Sequence, residues 1–469
     1  MVQFPQAFLD SIEAILPAHL NLDDFVAISQ QPLRRAIRVN TLKISVAEFE
    51  QGMTAQGWRL TPVPWCAQGF WLDRDNDDNQ LGNTPEHLAG LYYIQEASSM
   101  MPPTALFALA NAPQHVLDVA SAPGSKTSQM AALMGNEGVL IANEYSSSRI
   151  KSLHANMQRL GIRNVSLTHF DGKVFGPTLP EQFDAILLDA PCSGEGTVRK
   201  DPDAMNNWSM EAIHSIADVQ KSLIDSAFAA LKPGGVMVYS TCTLLSEENQ
   251  AICWYLKQQF PEQVEFISLA ELFPGAERAC TEEGFLHIWP QIYDSEGFFV
   301  AAIRKTGSID TEHKPPHLRA FPFAHAKRKQ IAELSEYFDS QLGLTLPAGQ
   351  IMERENTLWW FPEGLEQYIG KIRMNRLGIR LAEVHKHGFK TQHEAIMSLP
   401  LASNKTAQLD REQATQYLMG RDVIMNNPGA KGEVIVTFDG HPLGLAKWVK
   451  NKLKNGLPRE LVRDKISVC

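Results

Sequence analysis

The run Phe183-Asp-Ala-Ile-Leu-Leu-Asp189-Ala-Pro191-Cys192-Ser-Gly-Glu-Gly-Thr197 leaves the chain little choice of backbone. Four apolar residues, Ala185 to Leu188, end in a carboxylate. A proline then breaks the run, and two glycines keep the chain from staying extended. A short apolar run bounded this way reads as a buried parallel strand. In doubly wound sheets ligands bind outside the carboxyl ends of the strands, so Asp189 and Cys192 are expected at the lip of a crevice. A second cysteine ends a similar run, Val236-Met-Val-Tyr-Ser-Thr241-Cys242. Two thiols beside one carboxylate form a chemical constellation that the rest of the chain must serve.

The flanking sequence supports this sheet. From about Ala105, short apolar strands alternate with helical segments, the pattern of an α/β domain with a largely parallel sheet. The first strand, His115-Val-Leu-Asp118-Val119, enters Ala120-Ser121-Ala122-Pro123-Gly124-Ser125-Lys126, and a helix follows. Small residues at 120, 122 and 124 let backbone approach a ligand at the helix N-terminus, although an ordinary tight turn would use them too. The loop is not GxGxxG, which disfavours a pyrophosphate cofactor. The second strand, Gly138 to Asn143, ends in Glu144, placed to bind ribose hydroxyls. The third strand ends in Asp171, a candidate for an adenine amino group that an Asp-Gly turn explains almost as well. A small-residue loop and a ribose carboxylate without a pyrophosphate fingerprint suggest S-adenosylmethionine.

At 469 residues the chain is too long for one core. Its expected units are a small α+β region at 1–105, a catalytic domain at 106–305, a linker and intermediate region at 306–386, and a β-rich module at 387–469. Six cysteines without a CxxC pair suggest neither a zinc site nor a disulfide framework. The start lacks a signal pattern, and no apolar run approaches the ~18 to 20 residues of a membrane span. A cytoplasmic protein with reduced thiols, no metal and no membrane partner is expected.

Net charge is −10, which argues against a protein coated in nucleic acid, but the distribution is uneven. From His441 to the end, seven basic residues (Lys447, Lys450, Lys452, Lys454, Arg459, Arg463, Lys465) face only Glu460 and Asp464. Leu33 to Lys43 carries four positive charges and no negative ones, as a solvated strand face or as a phosphate-tracking edge. Lys371 to Arg380 is basic with interleaved apolar residues. Trp448 beside basic residues suits stacking on RNA bases, or else is a core tryptophan under a solvated surface.

The two thiols point to the acceptor. Carbon 5 of cytosine is too weak a nucleophile to take a methyl group unaided. A thiolate adding to carbon 6 turns the ring into an enamine, and carbon 5 then attacks the sulfonium methyl. An acid near ring nitrogen 3 is also required, the role assigned to Asp189. The base must leave its stack, so a basic accessory surface is expected.

Asp118-Val-Ala-Ser-Ala-Pro-Gly-Ser-Lys-Thr127, Asp189-Ala-Pro-Cys-Ser-Gly-Glu-Gly-Thr197 and Tyr239-Ser-Thr-Cys242 together resemble the RNA cytosine-C5 methyltransferase family of Nol1/Nop2/Sun type. Ile37-Arg-Val-Asn-Thr-Leu-Lys43 and Tyr93-Ile-Gln-Glu-Ala-Ser-Ser-Met100 extend the match. The resemblance implies a Rossmann-like class I fold with a mostly parallel seven-stranded sheet. It implies Cys242 as nucleophile and Cys192 in product release. Ala120, Ser121, Ala122, Pro123, Gly124, Ser125, Lys126, Glu144, Asp171 and Asp189 would hold the cofactor. Ser125 departs from a second glycine found in many relatives. Asp439-Gly-His-Pro-Leu-Gly-Leu-Ala-Lys447 through Leu461 is similar to the end of bacterial family members that carry a PUA-like module. Those enzymes act on 16S rRNA in the small ribosomal subunit, at a cytosine of the decoding region, and a monomer is expected.

Three alternatives stay open. The thiol roles could be exchanged, because DNA cytosine-C5 methyltransferases use the cysteine of the Pro-Cys loop. The substrate could be tRNA, or the chain could be a non-catalytic RNA-binding assembly factor.

Overall fold

A computed structural model describes residues 3–74, 80–206, 208–314, 316, 318, 320–402, 405–427 and 430–467. Cys469 and part of the expected linker fall outside them. Four sheets organise these residues. The first is antiparallel, in the order β2 (Arg59–Val63), β3 (Cys66–Asp73), β1 (Ala36–Val39) and β4 (Tyr92–Ile94).

The second sheet carries β5 (His115–Asp118), β6 (Val139–Asn143), β7 (Val165–Thr168), β8 (Phe183–Asp189), β9 (Leu231–Thr241), β10 (Val264–Ile267), β11 (Leu286–Ile288) and β12 (Phe298–Lys305). Its order is β10-β12-β9-β8-β5-β6-β7, seven strands, with β11 paired to β12 as an eighth. The block from β9 to β7 is parallel, whereas β12 runs antiparallel to β9. Parallel strands are covered on both faces and read as continuous apolar runs, and alternate residues divide between two cores. Val116, Leu140, Ala142, Ala185 and Leu187 pack with helix residues Met130, Leu153 and Met157. Leu117, Ile141, Ile186, Leu188 and Met237 pack with Ile224, Phe228 and Leu256 from the helices Met210–Ala230 and Gln250–Gln259.

Leu231-Lys-Pro-Gly-Gly235 stops the long helix as its residues require, but these residues already belong to β9. The third sheet is antiparallel, from Ala324–His325 to Gly388–Thr391, so its last strand lies beyond residue 386. The fourth, five-stranded, contains Gly432–Phe438 and His441–Val449, joined at Asp439-Gly440 where both residues have positive φ. Asp and Gly tolerate that left-handed turn.

Three surface readings change in the folded chain. β1 is buried at every position, and Arg38 is 2% exposed. Its guanidinium donates to Gln95 Oε1 at 2.8 Å and Ser128 Oγ at 2.7 Å, so it ties the first sheet to the helix Ser125–Leu133. A strand that seemed either solvated or phosphate-tracking is at this residue an internal seam. Trp448 is 9% exposed and packs in an apolar cluster with Val436 and Leu453, which makes it a core residue. Within the basic stretch 371–380, Arg376 and Arg380 are ion-paired to Glu394.

Candidate active site

β8 and β9 run side by side with Asp189 opposite Ser240 in register. Both strands end there, and the chain carries Cys192 and Cys242 into the same space. Their Sγ atoms lie 3.2 Å apart, a hydrogen-bond contact and far longer than the ~2.05 Å of a disulfide. Gly196 explains the fit of the loop. Its N–H donates to Cys242 O at 3.0 Å, and a Cβ there would sit 2.2 Å from Gly297 O and 2.7 Å from Cys242 O.

Asp189 accepts from Lys126 Nζ at 2.7 Å on one oxygen and from Ser240 Oγ at 2.7 Å on the other. Burial pulls the Lys126 ammonium down, but the charges of Asp189, Cys242 and Asp118 outweigh it and hold it above the ordinary lysine value. The Cys192 thiol is pushed well up, first by its hydrogen bond with Cys242, then by burial and by Cys242, Glu248 and Glu195. Hydrogen bonding, burial and acidic neighbours thus keep Cys192 a thiol, and the Cys242 sulfur 3.2 Å from it lies within electrostatic reach of Lys126.

The Cys192 loop rests on two carboxylates that sequence reasoning missed. Glu195 and Glu248 are 1% and 0% exposed. Ser193 Oγ bonds both, and Thr243 Oγ1 bonds Glu195. Glu248 also accepts from Ser193 N at 3.0 Å and from Gln220 Nε2 at 2.8 Å, while Gln220 holds Pro191 O at 2.9 Å. Among the described residues neither glutamate has an ion-pair partner. Burial, with Glu195 adding, raises Glu248 above the usual carboxylate value. Glu195 lies inside the Asp189–Thr197 motif, Glu248 lies in none, and no local pattern says that the two meet.

Glu248→Ala strips Ser193 and Gln220 of a buried acceptor. An expected loss of about 2–4 kcal/mol follows from leaving such groups unpaired. Chemical denaturation measures it, and a loss under about 0.5 kcal/mol, the range of neutral surface changes, would refute the supporting role.

The second part of the site opens at the end of β5, where strand order reverses, the usual place for ligands in such sheets. Gly124 has φ +104°, and a Cβ there would lie 2.7 Å from Met157 and 2.9 Å from Leu153. Only glycine lets this loop enter the helix Ser125–Leu133. Glu144, 3% exposed, accepts from Ala122 N at 3.2 Å and Ser146 N at 2.8 Å, which places it against the loop. Asp171 is exposed and caps the short turn after β7, accepting from Lys173 N at 3.1 Å, as its Asp-Gly context allowed. Asp118 is buried under the loop, with Oδ2 accepting from Thr127 Oγ1 at 2.7 Å and Oδ1 unpartnered. Carboxylates at 118, 144 and 189 suit a ligand bearing ammonium, sulfonium and hydroxyl donors, and they oppose a pyrophosphate.

Burial, with Asp189 adding and Thr127 opposing, pushes the Asp118 carboxyl up to about 7. The stability associated with its neutral form is complete below the unfolded value near 3.8 and is lost as pH rises to about 7. Asp118→Asn should flatten the fall in melting temperature of the ligand-free protein across that window. An unchanged slope would show that Asp118 does not titrate there.

Comparisons with known proteins fit this geometry. Residues 106–304 match the family described as 16S rRNA methyltransferase RsmB/F, and residues 4–97 match the N-terminal domain of 16S rRNA methyltransferase RsmF. A Vibrio campbellii protein named ribosomal RNA small subunit methyltransferase F is 56% identical, covering 99% of this chain and 98% of its own. The chain belongs to the RsmF family. An Escherichia fergusonii protein of the same name is 56% identical across 99% of this chain and 97% of its own. Residues 323–399 and 404–463 match the pre-PUA and PUA domains of RsmF. A solved methyltransferase homolog from Pyrococcus horikoshii is 35% identical with a TM-score of 0.52, covering 64% of this chain and all of that one. RsmF proteins are S-adenosylmethionine-dependent methyltransferases of class I fold, and the carboxylate-lined crevice suits that cofactor.

Among the described residues, no group of three or more His, Cys, Asp or Glu could hold a metal ion. None of their helices is long and apolar enough to cross a membrane.

Proposed function

We propose that this RsmF-family chain methylates carbon 5 of a cytosine in 16S rRNA of the small ribosomal subunit, through a covalent bond from Cys242 to carbon 6. The observation that carries this reading is the Cys192–Cys242 pair at 3.2 Å beside the Lys126–Asp189 ion pair. An exocyclic-amine methyltransferase has no use for a thiol.

The bound cofactor supplies an electrophilic methyl group. Backbone of the loop from Ala120 to Gly124, with Ser125 and Lys126 at the helix start and Glu144, Asp171 and Asp189, would hold it at the sheet edge. Lys126 stabilises the Cys242 thiolate, which adds to carbon 6. Asp189 contacts ring nitrogen 3. The acid at that nitrogen is the Asp189 carboxyl, which takes its proton from the paired Lys126 ammonium. Carbon 5 takes the methyl group and then loses its proton to solvent, while ring nitrogen 3 returns its proton to the Asp189–Lys126 pair. The carbon 6–sulfur bond breaks, and Cys192 S–H returns a hydrogen bond to the departing Cys242 thiolate.

Exposed Lys447 and Lys454, opposite each other in register on the last sheet, with exposed Lys450 in the turn between their strands, supply a basic face for RNA. On an acidic chain such a local patch needs a shaped target. Assembled small subunits should therefore be methylated faster than deproteinised 16S rRNA, as followed with radiolabelled cofactor and mapped by bisulfite sequencing. Equal rates on both would overturn the preference. Label on tRNA and none on subunits would overturn the substrate.

A further inference from the structure

A cavity of about 160 Å³ lies where the first region, the catalytic domain and the last module meet; neither thiol lines it, and Asn156 in its wall donates to Pro123 O of the 120–126 loop at 2.9 Å. It is bounded by the helix Pro85–Leu88, the helix Arg149–Leu160, the helix His393–Ser398, the helix Arg411–Leu418 and the segment 457–463. At about 30 Å³ per water it has room for roughly five waters. It falls short of the ~300 Å³ at which sites for drug-sized ligands begin.

Its walls carry Arg159, Arg463, His87 and His393 among leucines, and no Asp or Glu lines it. Arg159 is held by carbonyls, donating to His87 O at 2.7 Å and Tyr92 O at 3.2 Å. No ion pair involves either arginine among the described residues, and Arg463 is partly exposed, so the cavity meets solvent there. The Nδ1 of His393 is buried without a partner. Behind the wall the Lys43 ammonium is also buried without a partner, held down to about 7 by burial and then by Arg159. Of the nearby carboxylates, Glu394 is paired to Arg376 and Arg380, and Glu86 is paired to Arg411 through Oε1 while its Oε2 is buried without a hydrogen-bond partner.

Cations gathered at a seam repel one another, and low dielectric strengthens the repulsion. The arrangement is stabilising when an anion sits among them. Guanidinium groups suit phosphate oxygens through paired N–H donors. The unpartnered imidazole nitrogen adds one more polar contact.

We propose that this cavity is a binding site for a single phosphate group, either inorganic phosphate or a phosphate of the RNA backbone, that bridges the last module to the catalytic domain. It does not depend on the methyl-transfer chemistry.

The test uses the full-length protein with inorganic phosphate, replacing chloride at constant ionic strength, followed by calorimetric melting and phosphorus NMR. Phosphate should raise the melting temperature of the wild type progressively, with saturable binding. Arg463→Gln should weaken binding at least tenfold, and Arg463→Lys, which keeps the charge and loses the fork, by several-fold. Arg354→Gln, on an exposed arginine of the third sheet, should bind as wild type does. Equal melting in phosphate and chloride, or wild-type binding by both Arg463 variants, would overturn the site. A short RNA that displaces phosphate from wild type identifies the backbone phosphate as the occupant. Simultaneous binding of both identifies the free anion.

Discussion

Cys242→Ala is expected to abolish methyl transfer, by about 10⁴-fold or more, and to form no protein–RNA adduct, since removing a nucleophile removes the covalent route. Cys192→Ala should behave differently. Its partner sulfur, 3.2 Å away, remains beside Lys126 and can still attack carbon 6. What is lost is the thiol that stabilises Cys242 as it departs, so the methylated adduct should accumulate and survive a denaturing gel. Multiple turnover should stall while a single methyl transfer persists. The opposite pattern, with Cys192→Ala dead and Cys242→Ala trapped, would make Cys192 the nucleophile. Two dead variants without an adduct would overturn covalent catalysis.

Glu394→Ala is expected to cost about 3–5 kcal/mol, the usual result of removing one partner from a buried charge cluster. The Glu394 side chain is 2% exposed and is ion-paired to Arg376 and to Arg380 at 2.7 Å, and it also accepts from the Arg380 N–H at 3.0 Å. Arg376 O in turn accepts from Leu167 N at 2.9 Å, so the cluster joins the third sheet to the edge strand β7 of the catalytic sheet. Its loss leaves two arginines facing each other at that edge. Hydrogen exchange should show the third sheet and β7 opening first, ahead of the strands that carry the thiols. Uniform exchange with an unchanged melting temperature would refute the role.

Burial alone would raise the Glu394 carboxyl, but Arg376 and Arg380 reverse this and hold it below the usual value. Its stabilisation is therefore present above the unfolded pKa, near 4.5, and fades as pH falls through the lower folded value. Glu394→Gln should lack that component of acid unfolding.

The catalytic core was legible because strand periodicity and punctuation are local. The apolar run 185–188, the carboxylate that ends it and the Pro-Cys break specify a buried strand and its exit. The same holds for the run ending at Cys242. Two such exits in one parallel sheet must open on the same edge, so the meeting of the thiols followed from topology. The loop at 120–126 and Glu144 lie at successive strand ends and were found the same way.

Residues whose partners are remote in sequence were not legible. Arg38 and Trp448 carry the composition of an RNA-facing surface, yet both are buried, because only the docking of one sheet on another element decides which face is covered. Glu195 and Glu248 lie dozens of residues apart in the chain and meet around Ser193 only when β8 and β9 lie side by side. Local sequence by itself determined the fold class, the strand ends and the two thiols, because backbone sterics and apolar period act over a few residues. Tertiary structure alone decided which charges are paired, which are buried and which remain exposed for RNA, because desolvation and Coulomb energies depend on neighbours that the chain brings together only on folding.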